Sequence, residues 1–444
     1  MSVKNEHELD IYAKYYYKES GTLPNIYREN TYMAARSRRG FSTRSLHTDI
    51  PYLQPSTHIM PPFLTSTYAT ELLDVPTDQE FSFKYPRIAH PNGILLEHTL
   101  TSLEEGEAAV AVADGMRAIS IACTSMLYPQ PSGSVISTTP LYSDTYSFFM
   151  QDLPMLGKQC FFLNANNSPE DQLHAYITHA HLGEIPLIEL LFIETPANPT
   201  LTVFDIKKLS SIAHTGGIRV IVDNTFATPY NQRPLLLGAD ICIESLTKYC
   251  CGNGTTLGGA IIGSKPFIDH MRNRMKREGG HLNPFAAWLI QLGLQTFALR
   301  MSIHNRNAFL LALFLSSEKN KKKITTVYYP GLISHPGHTT AKNQMRTPYG
   351  KLGFGGMVSF ELARPEWIKP FTEYLAKETF VELAVSLGST SSTCSVPAQQ
   401  IHGGLSPQER EALGIRDTLI RFSVGIEDIH DIKRALISAL NNIQ

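Results

Sequence analysis

Asp223 and Lys248 are placed to do chemistry together. Asp223 follows the apolar run Val220-Ile221-Val222, and Lys248 closes Ser245-Leu246-Thr247-Lys248 behind a second short run over 241–244. Both runs read as strands. Catalytic groups in open α/β sheets gather beyond the carboxyl ends of strands, so the acid and the amine can face one crevice. A lysine amine can form an imine with an aldehyde, and a carboxylate can keep a ring nitrogen protonated. Hydroxyls and backbone N–H groups can cradle a phosphate. Pyridoxal 5'-phosphate (PLP) asks for all three. Ser245 and Thr247 supply hydroxyls beside the lysine, and a glycine-rich stretch follows at 252–259. Taken alone, Asp223 reads as a turn cap and Lys248 as a surface lysine; taken together they read as a cofactor site.

These residues need a scaffold. Apolar runs over 108–113, 134–137, 187–193, 219–222, 241–244 and 260–262 read as strands, with helices over 115–126 and 205–214 between them. Strand, helix, strand in repetition means crossover connections and an α/β fold with a mostly parallel central sheet. From 284 to 308 the pattern is helical, with Ala286, Ile290, Leu294 and Phe297 along one face. A Lys-rich turn at 319–323, strand-like residues at 356–362, a serine-rich stretch at 386–395 and a helix over 429–440 suggest a smaller α+β unit. The expected division is an N-terminal extension and intersubunit arm (1–95), a PLP-binding large domain (96–300) and a C-terminal small domain (301–444). Residues 1–45 are rich in Tyr and Arg (Tyr15, Tyr16, Tyr17, Arg36, Arg38, Arg39, Arg44) and read as a solvated arm, with an RNA- or partner-binding arm as the alternative.

Composition narrows the function. Lys+Arg number 39 and Asp+Glu 40, a net charge of -1, which argues against a nucleic-acid binder or a polybasic membrane-surface protein. No apolar run is long enough to cross a bilayer. The six cysteines form no CxxC pair, which speaks against a thiolate zinc site or a disulfide scaffold and for a reducing compartment. The polar, acid-containing start lacks the marks of a secretory or transit peptide, so a cytoplasmic location is expected. His335 and His338 lack a third ligand, and no metal is expected. A nicotinamide dehydrogenase is disfavoured because no GxGxxG turn follows a first strand.

The chain resembles the Cys/Met-metabolism (trans-sulfuration) family of PLP enzymes, which includes cystathionine γ-synthase, cystathionine lyases, methionine γ-lyase and O-acyl-homoserine sulfhydrylases. The likeness runs in order through 41–47 (FSTRSLH), 60–69 (MPPFLTSTYA), 194–200 (ETPANPT), 223–240 (DNTFATPYNQRPLLLGAD), 245–249 (SLTKY), 330–338 (PGLISHPGH), 383–389 (LAVSLGS) and 418–428 (TLIRFSVGIED). It implies the fold of type I PLP-dependent transferases. It makes Lys248 the PLP lysine that later shuttles the Cα proton, Asp223 the partner of the pyridine nitrogen, and Tyr142 the residue stacked on the ring. Asn198 would contact the ring hydroxyl and the substrate. Arg421, with Ser392 nearby, would grip the substrate carboxylate, a task suited to a bidentate guanidinium. Gly115, Met116, Ser245 and Thr247 would hold the phosphate. Tyr85 and Arg87 would reach the phosphate of a neighbouring subunit, giving dimers that share sites and pair into a homotetramer.

Departures from the family pattern fall at Ala89, His90, Asp114, Asp144, Asn253 and Ser391, and they are expected to cluster at the site. Asp114 would cap the next helix but oppose a phosphate, with Arg117 available to offset it. The expected reaction is replacement at Cγ of a homoserine-ester or homocysteine-type substrate, with a thiol or sulfide as partner. Elimination by a methionine γ-lyase or cystathionine lyase is the alternative, and a non-catalytic PLP-binding relative is the second.

Overall fold

The structure, a computed structural model, describes residues 39–47, 59–69, 83–127, 132–400, 403 and 406–443. The arm over 1–38, with Tyr15, Tyr16, Tyr17, Arg36 and Arg38, lies outside the described residues. A seven-stranded sheet organises the first part of the chain. Its strands are β1 (Ala108–Val112), β2 (Gly133–Thr139), β3 (Lys158–Asn164), β4 (Ile188–Glu194), β5 (Arg219–Asp223), β6 (Ile241–Glu244) and β7 (Gly259–Gly263), in the order β1-β7-β6-β5-β4-β2-β3. Only β7 runs against the rest: it pairs antiparallel with both β6 and β1, whereas β2 through β6 pair parallel.

The apolar runs are continuous because both faces are covered. Along β5 the side chains alternate. Ile221 joins the core beneath helices Gly115–Met126 and Lys265–Glu278, while Val220 and Val222 join the core beneath Pro169–His181 and Ile206–Thr215. Along β6, Ile241 and Ile243 share the first of these faces, and Cys242 packs on the other, against helices Pro91–Leu103 and Pro284–Leu294. Period-two alternation therefore decides which chemistry each strand end presents to which face.

A second sheet holds β8 (Ile324–Tyr328), β9 (Met357–Leu362), β10 (Glu382–Leu383), β11 (Thr393–Ser395) and β12 (Leu419–Ser423), ordered β10-β11-β12-β9-β8. All its pairs are antiparallel except β10 with β11. Helices Ile368–Glu378 and Ile429–Asn442 contribute to its core through Phe371, Ile432 and Leu436.

Some elements depart from expectation. β3 and helix Lys265–Glu278 are legible only weakly in the sequence. β3 is an edge strand of mixed burial, and half of the helix's residues are charged, with Ile268, Met271 and Met275 alone buried at helical spacing. The helical pattern over 284–308 is two helices, Pro284–Leu294 and Phe297–Leu315. Residues 41–45 are not a solvated arm. Helix Phe41–Leu46 docks with Phe41 only 2% exposed, edge-on to Tyr230, and Arg44 pairs with Glu105 at 2.8 Å. No described helix is long and apolar enough to cross a membrane.

Candidate active site

Beyond the carboxyl ends of β2, β4, β5 and β6 lies a cleft of about 550 Å³. Gly115 and Met116 open helix Gly115–Met126 on one side of it. Tyr142 comes from the turn after β2, Asn198 from the loop after β4, and Asp223 from the end of β5. Ser245, Thr247 and Lys248 follow β6, and Arg421 enters from β12 of the second sheet. The structure thus brings these residues together as the sequence predicts. The close approach of Gly115 to Ser245 requires glycine, since a Cβ there would lie 2.9 Å from the serine's Cβ. Gly388, at φ +78°, lets the loop after β10 pack against the backbone of Lys248 and Tyr249.

Lys248 is half-buried, and its Nζ has the Ser386 hydroxyl at 3.4 Å. Burial and then the Arg421 charge bring its pKa down to about 8, against a smaller upward pull from Asp223. About a tenth of the amine is therefore neutral near pH 7, far more than for an ordinary lysine. Asp223 accepts from Thr225 N–H at 3.0 Å, and desolvation raises its pKa while Lys248 lowers it. Glu194 lies opposite Asp223 across the β4–β5 pair. It accepts the backbone N–H groups of Tyr142 (2.9 Å) and Asn198 (2.7 Å), so it positions both loops; burial and Asp223 push it up to about 8. The Tyr142 hydroxyl donates to Asp144 at 2.8 Å; burial, then that acceptor, push its pKa up.

Arg421 carries the strongest signal. It is 2% exposed, and its guanidinium donates to Ser395 Oγ (3.1 Å), Asn198 Oδ1 (3.2 Å) and the Val385 carbonyl (2.7 Å). Among the described residues no carboxylate pairs with it. Burial brings its pKa down to about 10. A buried cation without a counter-charge is costly, and an incoming carboxylate in the cleft would relieve it.

Three predicted site residues do not reach the cleft of this chain. Ser392 is fully buried, its hydroxyl bonded to Glu427 (2.9 Å) and to Gly425 N–H (2.9 Å). Its place on the cleft is taken by Ser386. Tyr85 and Arg87 stack on each other at 5.3 Å, and Arg87 donates to the Lys276 carbonyl. The departures do not cluster as expected either: of the six, only Asp114 and Asp144 line the cleft. His90 caps helix Pro91–Leu103, accepting from Gly93 N–H at 2.9 Å and bonding the Leu282 carbonyl at 2.9 Å. Asn253 orders its own loop through Thr255 at 2.7 Å. Ser391 is exposed outside the cleft, and Ala89 borders a different, smaller cavity. Arg117 does not offset Asp114, since its guanidinium goes to Glu278 (2.9 Å) and the Gly279 carbonyl (3.2 Å). His335 and His338 bond local backbone groups at 3.1 and 2.9 Å.

Sequence reasoning passed over Glu194, Ser386 and Arg300. Glu194 closes the apolar run 187–193 as Asp223 closes 219–222, and that parallel is the signal the sequence carries. Arg300 holds the turn after Lys248 by donating to the carbonyls of Tyr249 (2.7 Å), Cys250 (3.3 Å) and Gly293 (2.8 Å); no local pattern announces that role.

These residues fit PLP. A lysine of lowered pKa, an acid on an adjacent strand end, a side-chain-free approach at Gly115 and a helix N-terminus share one cleft. Among the described residues, the Asp114 carboxylate is the opposing charge beside Gly115, where a phosphate would sit, and it is partly satisfied by accepting from Arg117 N–H at 2.7 Å.

Comparison with known proteins agrees. Residues 42–441 match the model of the Cys/Met metabolism PLP-dependent enzyme family. The chain is 36% identical to an L-methionine gamma-lyase of Fusobacterium nucleatum subsp. polymorphum, over 91% of this chain and 98% of that one. It is 37% identical to the cystathionine gamma-lyase of Bacillus subtilis, over 82% and 90%. The crystal structure of cystathionine gamma synthase from Xanthomonas oryzae pv. oryzae, solved in complex with cystathionine, superposes with a TM-score of 0.81 at 28% identity, over 90% and 98%. Cleft, fold and sequence converge: the chain belongs to the Cys/Met metabolism family and is a PLP-dependent enzyme of trans-sulfuration type.

Proposed function

We propose that this enzyme replaces the γ-substituent of a four-carbon amino acid, a homoserine ester or homocysteine-type substrate, with a thiol or sulfide as the incoming partner. The observation that carries this reading is the buried, carboxylate-free Arg421 in the same cleft as Lys248, which suits an α-amino acid held by its carboxylate beside an amine base. Bound PLP supplies the electron sink for charge developing at Cα. Lys248 would hold the cofactor, and its amine would be the base that takes the Cα proton. Its pKa of about 8 suits it to accept and return protons near neutral pH. Asp223 would keep the ring nitrogen protonated, and Tyr142 would stack on the ring. Asn198, bonded to Arg421, would contact the ring hydroxyl, and Ser386 lies beside Lys248. Gly115, Met116, Ser245 and Thr247 would hold the phosphate. Tyr85 and Arg87, outside the cleft of their own chain, serve the site of a second copy, in dimers that pair into a homotetramer.

Elimination is the second reading, favoured by the identity to the two lyases named above. The test supplies O-acetyl- or O-succinyl-L-homoserine with and without sulfide. Homocysteine formed only with sulfide supports replacement. A 2-oxo acid released from methionine or cystathionine as the dominant reaction assigns elimination instead.

A further inference from the structure

Four carboxylates line the cleft among the described residues: Asp114, Asp144, Glu194 and Asp223. Three are tied to the backbone. Asp114 accepts from Arg117 N–H at 2.7 Å, Glu194 from Tyr142 and Asn198 N–H at 2.9 and 2.7 Å, and Asp223 from Thr225 N–H at 3.0 Å. Asp144 differs. It is exposed, its Oδ2 takes the Tyr142 hydroxyl at 2.8 Å, and its Oδ1 has the Ser143 hydroxyl at the outer limit of 3.5 Å. No cation among the described residues pairs with it. The two cleft cations are Lys248 and Arg421, and Arg421 is fixed by Ser395, Asn198 and Val385 rather than by Asp144. Tyr142 neighbours both charges: its hydroxyl is on Asp144, and the Arg421 charge acts on it. Asp144 is thus a carboxylate without a cation partner among the described residues, on the wall of the same cleft as Arg421 and joined to it through Tyr142.

We propose that Asp144 sets the charge specificity of the distal end of the cleft, admitting amino acids whose side chain ends in a neutral or cationic group and rejecting those ending in an anion. This rests on the reading of the cleft as the site of a γ-substituted amino acid. Among homoserine esters it selects those of a neutral acyl group over those of a dicarboxylic or phosphoric acid. A second negative charge several ångströms away in a partly solvated cleft weakens binding by roughly tenfold, an effect that salt reduces.

The test uses the holoenzyme and three six-carbon amino acids that carry no leaving group: L-norleucine, L-2-aminoadipate and L-lysine. Binding is read from the change in cofactor absorbance. The wild-type enzyme is expected to bind 2-aminoadipate about tenfold more weakly than norleucine, and lysine at least as well as norleucine. Asp144→Asn, which keeps an acceptor for Tyr142, is expected to bring the 2-aminoadipate and norleucine affinities to within about twofold of each other. An affinity ratio unchanged by Asp144→Asn overturns the proposal, as does a wild-type enzyme that prefers 2-aminoadipate. Turnover of O-acetyl- against O-succinyl-L-homoserine separates the two claims. If neither ester reacts but the charge series holds, the γ-replacement reading falls and the role of Asp144 stands. If the esters react and the charge series is flat, the reverse follows.

Discussion

Two pairs of buried acids occupy opposite faces of one sheet. Glu194 and Asp223, at the ends of β4 and β5, face the cleft. Glu104 and Glu244 lie on the other face with Cys242, their ligand-type atoms within 4.8 Å of one another. Burial raises the pKa of all four. The surroundings differ. Lys248 and Arg421 line the cavity beside the first pair. The second pair is sealed: Glu244 is 1% exposed, and among the described residues neither of its oxygens finds a donor. Burial favours the protonated forms of Glu104 and Glu244, and the Asn224 amide donates to Glu104 at 3.0 Å. The perturbation is alike in kind, and the Arg233 charge reaches Glu104, yet only the first pair borders a cavity lined by cations and positions loops around it. A shifted acid marks a chemical site when it faces such a space, and otherwise marks a structural network.

Substitutions on the two faces should separate them. The largest effect is expected from Asp223→Asn, which removes the charge that holds the ring proton. Turnover should fall by about 10²–10³-fold with the fold retained, read by steady-state kinetics and circular dichroism. Arg421→Lys keeps the charge but loses the three-pronged anchorage. KM for an amino-acid substrate should rise by about 10–100-fold, more than kcat falls. If kcat alone drops, Arg421 does not hold the carboxylate.

A pH experiment comes next. Cofactor capture needs the neutral amine, and the Lys248 pKa is depressed to about 8. The rate of PLP uptake by cofactor-free enzyme should climb about tenfold per pH unit below that value and level off above it. A plateau reached only near pH 10 would place Lys248 in an unperturbed setting. The smallest effect belongs to the rear face. Because burial raises the Glu244 pKa, the folded state retains a proton that the unfolded chain gives up. The stabilisation is complete below the unfolded carboxyl pKa and is lost as pH rises through the folded value. Glu244→Gln, always neutral, should stabilise by about 1–2 kcal/mol at alkaline pH and little at acid pH, with turnover within about twofold of wild type. Thermal midpoints at both pH values check this, and a loss of turnover as large as that of Asp223→Asn would erase the distinction between the faces.

The legibility of the molecule followed the same physics. Helix Gly115–Met126 and strand β6 were readable residue for residue, because each is an apolar pattern with a clear start. Lys248 and Asp223 are legible from the apolar runs they follow, whereas Tyr142 and Arg421 are legible only through the family resemblance. The family resemblance points to Ser392, but it lies in a serine-rich stretch where sequence cannot say which hydroxyl faces the cavity; Ser392 is buried behind Glu427, and the turn after β10 presents Ser386. The departures at His90 and Asn253 looked functional in one dimension and proved to be a helix cap and a loop clasp. Arg300 acts across 51 residues on the Tyr249 carbonyl, a separation that no local pattern encodes.

The central claim is that Lys248 is the covalent anchor of PLP. The holoenzyme reduced with borohydride, digested and analysed by mass spectrometry tests it directly. The account predicts the reduced pyridoxyl label on the peptide containing Lys248 and on no other lysine. A label on a different lysine, or none at saturating PLP, would contradict it.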